Sequence, residues 1–137
     1  MILCVGSEFK WRRPGRKAEA GRLKAQGGLA ISLRPTSDIL LELGKTKPQG
    51  QVLVGFAAEF GPKAKDEALR KCREKSCDFI CVNDVSRPDI GFGSDENEFL
   101  VVFPDGREKR IEKAPKRAVA REILMEAAGM LKGRKAD

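Results

Sequence analysis

The stretch QVLVGFAAEFGPKAKDEALRKCREKSCDFICVNDV, residues 51–85, decides the fold. Residues 51–59 form a near-continuous apolar run, the mark of a strand covered on both faces of a parallel sheet. Residues 63–75, KAKDEALRKCREK, are helix formers almost throughout, and 77–84, CDFICVND, read as a second covered strand. With only about a dozen residues in the crossover, the two strands are expected to be parallel and the crossover right-handed. A strand–helix–strand unit of an α/β sheet is the result.

Downstream, Asn83 and Asp84 leave the second strand into VSRPDIGFGSDEN, residues 85–97, a long irregular segment where open α/β sheets place ligands. EFLVVFPDGREKRIE, residues 98–112, reads as a hairpin about Pro104-Asp105-Gly106. APKRAVAREILMEAAGMLKG, residues 114–133, places Val119, Ile123, Leu124, Ala127 and Leu131 along one face of an amphipathic helix. Upstream, TSDILLELGK, residues 36–45, has Thr36 or Ser37 as a cap, Asp38 in the first turn and Gly44 as a stop. LAISLRP, residues 29–35, alternates as a half-buried strand does. Residues 1–28 show no sustained period and carry five glycines, so they read as a loop or arm. The expected organisation is a basic arm or flap over 1–28, an α/β domain over 29–132 and a frayed tail over 133–137.

At 137 residues the chain has the size of one domain, and its 41% hydrophobic and 34% charged composition is that of a globular protein. No stretch approaches the ~20 apolar residues that span a bilayer, and the opening MILCV is too short for a signal-peptide core, so the cytoplasm is the expected compartment. The net charge of +7 is uneven: residues 1–28 carry seven Lys/Arg against two acids and residues 107–137 ten against five. Basic ends suit anionic partners, yet one Trp and no Tyr leave no aromatic-interleaved surface for stacking bases. Solubilising tails are the stronger reading, and the composition argues against nucleic acid.

Without histidine there is no Ser-His-Asp or Cys-His machinery. Cys4, Cys72, Cys77 and Cys81 include no C-x-x-C pair, so no metal site is expected and buried thiols are the better reading. Cys77 and Cys81 share strand parity and are expected on one face. Lys71 and Lys75 lie four apart on one helical face and can clamp a polyphosphate, but Glu67 lies four before Lys71, and such pairs are common on a solvated face. Phe56 ends the first strand beside Gly55 and Ala57-Ala58, where it can lie against a base or serve as a core aromatic. On spacing alone the bland reading of each is the stronger. GFGSDEN matches neither a P-loop nor a dinucleotide fingerprint.

TSDIL, VGFAAE and RKCREKSCDFICVNDVSRPDIGFGSDENE, in this order and spacing, closely resemble phosphopantothenoylcysteine synthetase, from roughly Arg22 to Ala128. The resemblance implies a Rossmann-like α/β three-layer sandwich with a mostly parallel sheet, incomplete at its N-terminal half, plus a C-terminal hairpin and helix. It implies CTP-dependent ligation of cysteine to 4'-phosphopantothenate through an acyl-cytidylate, with Mg2+, in a cytoplasmic homodimer. By the same resemblance Ser37, Asp38, Ile39 and Leu40 contribute to the nucleotide pocket and Phe56, Lys71 and Lys75 contact the nucleotide. A flap motif places Arg22 and Lys24 in the catalytic flap.

Departures from the family pattern are specific. Arg22 replaces a flap lysine, Ser37 stands where relatives often have proline, and Trp11 of SEFKWRRP stands near the position of a nucleotide-reading aspartate. The family's first half, with its glycine-rich nucleotide loop, has no counterpart here. Ligation by the chain alone is therefore not expected. The alternative reading is a non-catalytic nucleotide-binding or dimerisation module that complements a separate N-terminal half.

Overall fold

A computed structural model describes residues 1–5, 13–14, 33–34, 37–59, 61, 63–84 and 93–134. By its internal contacts the chain divides into a larger unit, Met1–Glu8 with Ile39–Asp137, and a smaller one, Phe9–Asp38. In the smaller unit a short strand β2 (Arg13–Pro14) pairs antiparallel with β3 (Leu33–Arg34). The rest of the expected strand over 29–35 and most of the basic arm lie outside the described residues.

The larger unit is built on one five-stranded sheet in the order β1 (Ile2–Val5), β4 (Val52–Glu59), β5 (Phe79–Asp84), β6 (Glu96–Val102), β7 (Glu108–Pro115). The unit over 51–85 forms as read: β4, then helix α2 (Ala64–Glu74), then β5 parallel to β4. The hairpin joins the same sheet, so two of the four pairings, β5–β6 and β6–β7, are antiparallel. Residues 2–5, expected to belong to the arm, instead run parallel to β4, Ile2 beside Val52 through Val5 beside Gly55. Four residues are too few to show a period, and only backbone pairing to an apolar strand reveals them.

Helices cover both faces, which makes the unit a three-layer sandwich. Helices α1 (Ile39–Thr46) and α2 pack on one face, where Leu40, Leu53, Ala57, Cys72, Ile80 and Val102 meet. Helix α3 (Lys116–Gly133) covers the other, with Val119, Ile123 and Ala127 against Val54, Phe79, Val101 and Ile111. Of the five residues expected on its buried stripe, Leu124 departs and is 50% exposed. The stripe is narrower than the apolar pattern because α3 has only the sheet to lie on among the described residues.

Two further expectations change. Gly44 does not stop α1, which continues to Thr46; a Cβ there would lie 1.9 Å from the Lys75 carbonyl oxygen, so the glycine serves close packing of α1 on the end of α2. Just past the end of α2 comes Ser76, whose φ of 52° is left-handed, with Cys77 N–H donating back to the Cys72 carbonyl at 3.0 Å. That turn lifts Cys77 out of strand register. Cys77 therefore lies with the α1/α2 core and Cys81 with the α3 core, on opposite faces.

Burial pushes the Cys72 thiol up to about 12, with the Asp78 carboxylate adding to it. Burial likewise pushes Cys77 up to about 12, with Cys72 beside it. A thiol ionises near 9.0 without these influences. From pH 9 towards 12 the unfolded chain releases protons the native chain retains, so stability present below pH 9 is lost as pH rises. Iodoacetamide at pH 8 should leave both thiols unlabelled in the native protein and label both in urea; rapid native labelling would contradict their burial.

Candidate functional site

The carboxyl ends of β4 and β5 are the natural ligand edge of this sheet, since parallel strands and their connections open a crevice there. Glu59 and Asp84, the last residues of the two strands, are direct neighbours across it. One residue earlier, Ala58 faces Asn83, whose Oδ1 is buried with no hydrogen-bond partner among the described residues. A buried acceptor left unmatched carries a desolvation cost, which a ligand donor would remove.

Phe56 and the two lysines approach from opposite faces of the sheet. Even-numbered residues of β4 point towards α3, and Phe56 packs there against Phe99, edge to face at 5.8 Å and 76°. Together with Asn97, Val119, Ile123 and Leu124 it lines an apolar groove of about 310 Å³ beside the start of α3. Phe56 is thus both a core contact and a wall of a cavity.

Lys71 and Lys75 share α2 and the other face, but one helical turn gives them different roles. Lys71 reaches the end of β4, where its ammonium donates to Glu59 at 2.5 Å. Glu67, the expected i,i+4 partner, is instead held by Arg70 at 2.8 Å. Lys75 closes the helix and is 3% exposed, and burial pushes its ammonium below the ordinary lysine range, an effect that Cys77 partly counters. Gly44 lets α1 lie directly on the Lys75 backbone at the end of α2.

In α1, Ile39 is 62% exposed and Leu40 is buried in the core beneath Gly55, where an added Cβ would come 3.1 Å from the leucine. Ser37 and Asp38 belong to the smaller unit. Arg22, Lys24 and residues 85–92 lie outside the described residues. The structure thus brings together Glu59, Lys71 and the Asn83–Asp84 strand end, and leaves Phe56 on the opposite face of the sheet. Glu59 escapes a sequence reading because its partner is twelve residues away; its only signal is a carboxylate closing an apolar strand.

Among the described residues no group of three or more His, Cys, Asp or Glu side chains gathers to hold a metal, and no helix is long and apolar enough to cross a membrane. The electrostatics offer a cation beside a strand end and an apolar cavity across the sheet. The cation suits an anionic group and the groove a flat apolar one, each on its own face of the sheet.

Known proteins with related sequences and folds agree with this architecture. Residues 11–130 match the family described as the DNA/pantothenate metabolism flavoprotein C-terminal domain. The coenzyme A biosynthesis bifunctional protein CoaBC of Bacillus subtilis (strain 168) is 40% identical over 109 residues, covering 80% of this chain and 26% of that protein. A crystal structure of the C-terminal domain of a CoaBC protein superimposes with a TM-score of 0.62 at 38% identity, over 74% of this chain and 48% of that one. A Cab2 mutant in complex with phosphopantothenate-cysteine shares the fold alone, with a TM-score of 0.60 at 15% identity, over 82% of this chain and 35% of that one. The chain thus spans about a quarter of the length of this curated relative and about half of the solved CoaBC domain. On the extent of the family match, the chain belongs to the DNA/pantothenate metabolism flavoprotein C-terminal domain family.

Proposed function

We propose that this chain carries the nucleotide-facing half of a phosphopantothenoylcysteine synthetase domain in coenzyme A biosynthesis. The reaction is CTP-dependent ligation of cysteine to 4'-phosphopantothenate through an acyl-cytidylate. The observation that carries the reading is Lys71 held by Glu59 at the carboxyl end of β4, in a chain 40% identical to a CoaBC protein; Phe56 lines a groove on the opposite face, so in this reading the nucleotide crosses that edge of the sheet to meet both. Lys71 supplies a fixed positive charge for phosphate, and the groove beside Phe56 offers an apolar wall for a flat base. Magnesium enters this reading with the nucleotide, as the metal–triphosphate substrate.

Titration calorimetry with CTP tests it. Wild type is expected to bind and Lys71→Ala to weaken binding about tenfold, the equivalent of ~1.4 kcal/mol. A parallel titration with ATP reads base preference. Absence of CTP binding, or binding that Lys71→Ala leaves unchanged, would remove the proposal.

A second reading rests on the share of the fold present. The chain covers 48% of the solved CoaBC domain, and β1 is an edge of the sheet among the described residues. β7, the other edge, alternates Glu108, Lys109, Arg110, Glu112 and Lys113, charges that discourage strand addition, whereas β1 is the apolar sequence ILCV. In this reading the chain is a module completed by a polypeptide bearing the other half, and homodimerises in the assembled enzyme. Incubated with 4'-phosphopantothenate, CTP and cysteine, the chain alone should release no pyrophosphate; release should begin on adding a complementary N-terminal half.

A further inference from the structure

Glu59 is the last residue of β4, and its carboxylate accepts a hydrogen bond from the Lys71 ammonium at 2.5 Å. Both side chains are largely covered, 20% and 18% exposed. An ion pair so shielded is screened little by salt, so it fixes the ammonium at the strand end more firmly than a solvated pair would. Asp84, the cross-strand neighbour of Glu59, brings a second carboxylate to the same edge.

A polyanion drawn to Lys71 therefore meets an ammonium whose charge is already matched. The ammonium has three donors and can hold two acceptors at once. A carboxylate and a phosphate sharing it, however, lie within a few ångströms of each other and repel. The low-energy course is exchange, in which the ammonium turns from the carboxylate to the phosphate and the carboxylate withdraws towards solvent.

We infer that Glu59 is a positioning residue for Lys71: a counter-ion that holds the ammonium at the strand end and competes with the ligand's phosphate for it, thereby setting the site's affinity for polyanions. The role rests on the nucleotide reading above. It acts through Lys71, so its signature is a coupling between the two residues.

Calorimetric titrations of wild type, Glu59→Gln, Lys71→Ala and the double variant with CTP test it, with inorganic tripolyphosphate as a second probe. Glu59→Gln keeps the side-chain shape and removes the charge; thermal melts check that every variant folds. Removing the Glu59 charge is expected to tighten CTP binding about three- to fivefold, the size of a modest ion pair, and to tighten tripolyphosphate equally. In the Lys71→Ala background the gain should fall below about twofold, because no ammonium is left to compete for. A gain that persists undiminished there is a general charge effect and overturns the inference, as does no gain at all. A Lys71→Ala variant that binds CTP like wild type, or a wild type that does not bind, removes the nucleotide reading and this inference with it.

Discussion

Gly44→Ala is expected to destabilise the protein by about 3 kcal/mol, at the top of the range overpacking usually costs, because the atom it meets is backbone. A Cβ at this position would lie 1.9 Å from the Lys75 carbonyl oxygen and 2.8 Å from its carbon. Neither can move without shifting the end of α2. In an ordinary exposed helix the same substitution stabilises by up to ~1 kcal/mol, since alanine is the better helix former. The sign of the effect is thus diagnostic, and urea denaturation monitored by circular dichroism reads it directly. A variant as stable as wild type would mean that α1 does not pack on α2 as closely as this.

Asp78→Ala is expected to cost about 3 kcal/mol, because it removes the counter-charge from two cations and the acceptor from a buried amide at once. Asp78 is 5% exposed and accepts from the Leu53 N–H at 2.6 Å and from Lys47 at 3.2 Å, and Arg134 binds it too. Arg134 also donates to the Gln51 carbonyl at 2.5 Å and Lys47 to the Ser76 carbonyl at 2.8 Å. One carboxylate thereby ties the ends of all three helices of the larger unit to the start of β4 and β5. Asp78→Asn keeps an acceptor for Leu53 and loses the charge, so it should cost about half as much. Denaturation midpoints of the two variants separate the shares; equal stability of Asp78→Asn and wild type would assign the whole effect to the amide. The hub lies at the amino ends of the parallel strands, away from Glu59 and Lys71, so CTP affinity of the folded variants should be unchanged.

The β-α-β unit, the hairpin at Pro104–Gly106 and the long C-terminal helix are legible in the sequence because each has a period or a turn signal of its own. In the hairpin, Gly106 has a φ of 91° and its N–H donates to the Phe103 carbonyl at 3.0 Å, the geometry that an Asp-Gly pair favours. β1 lacks such a signal, being four residues long, and becomes a strand through pairing with β4. Cys77 reads as part of a strand by parity, but the left-handed Ser76 breaks the count before β5 begins.

The candidate site divides in the same way. Spacing on a helix determines that Lys71 and Lys75 share a face, and an apolar strand determines that Phe56 is half core. Neither determines what else reaches those side chains. The sequence by itself settles the order of elements, the covered strands and the placement of a cation one turn from another, because these depend on local periods. Only the tertiary structure decides that Glu59 returns to Lys71, that Lys75 is buried, and that Phe56 opens on a groove across the sheet. Those outcomes depend on contacts between residues far apart in the chain, and a glycine at position 44 or a carboxylate at position 59 acquires its meaning only from what packs against it.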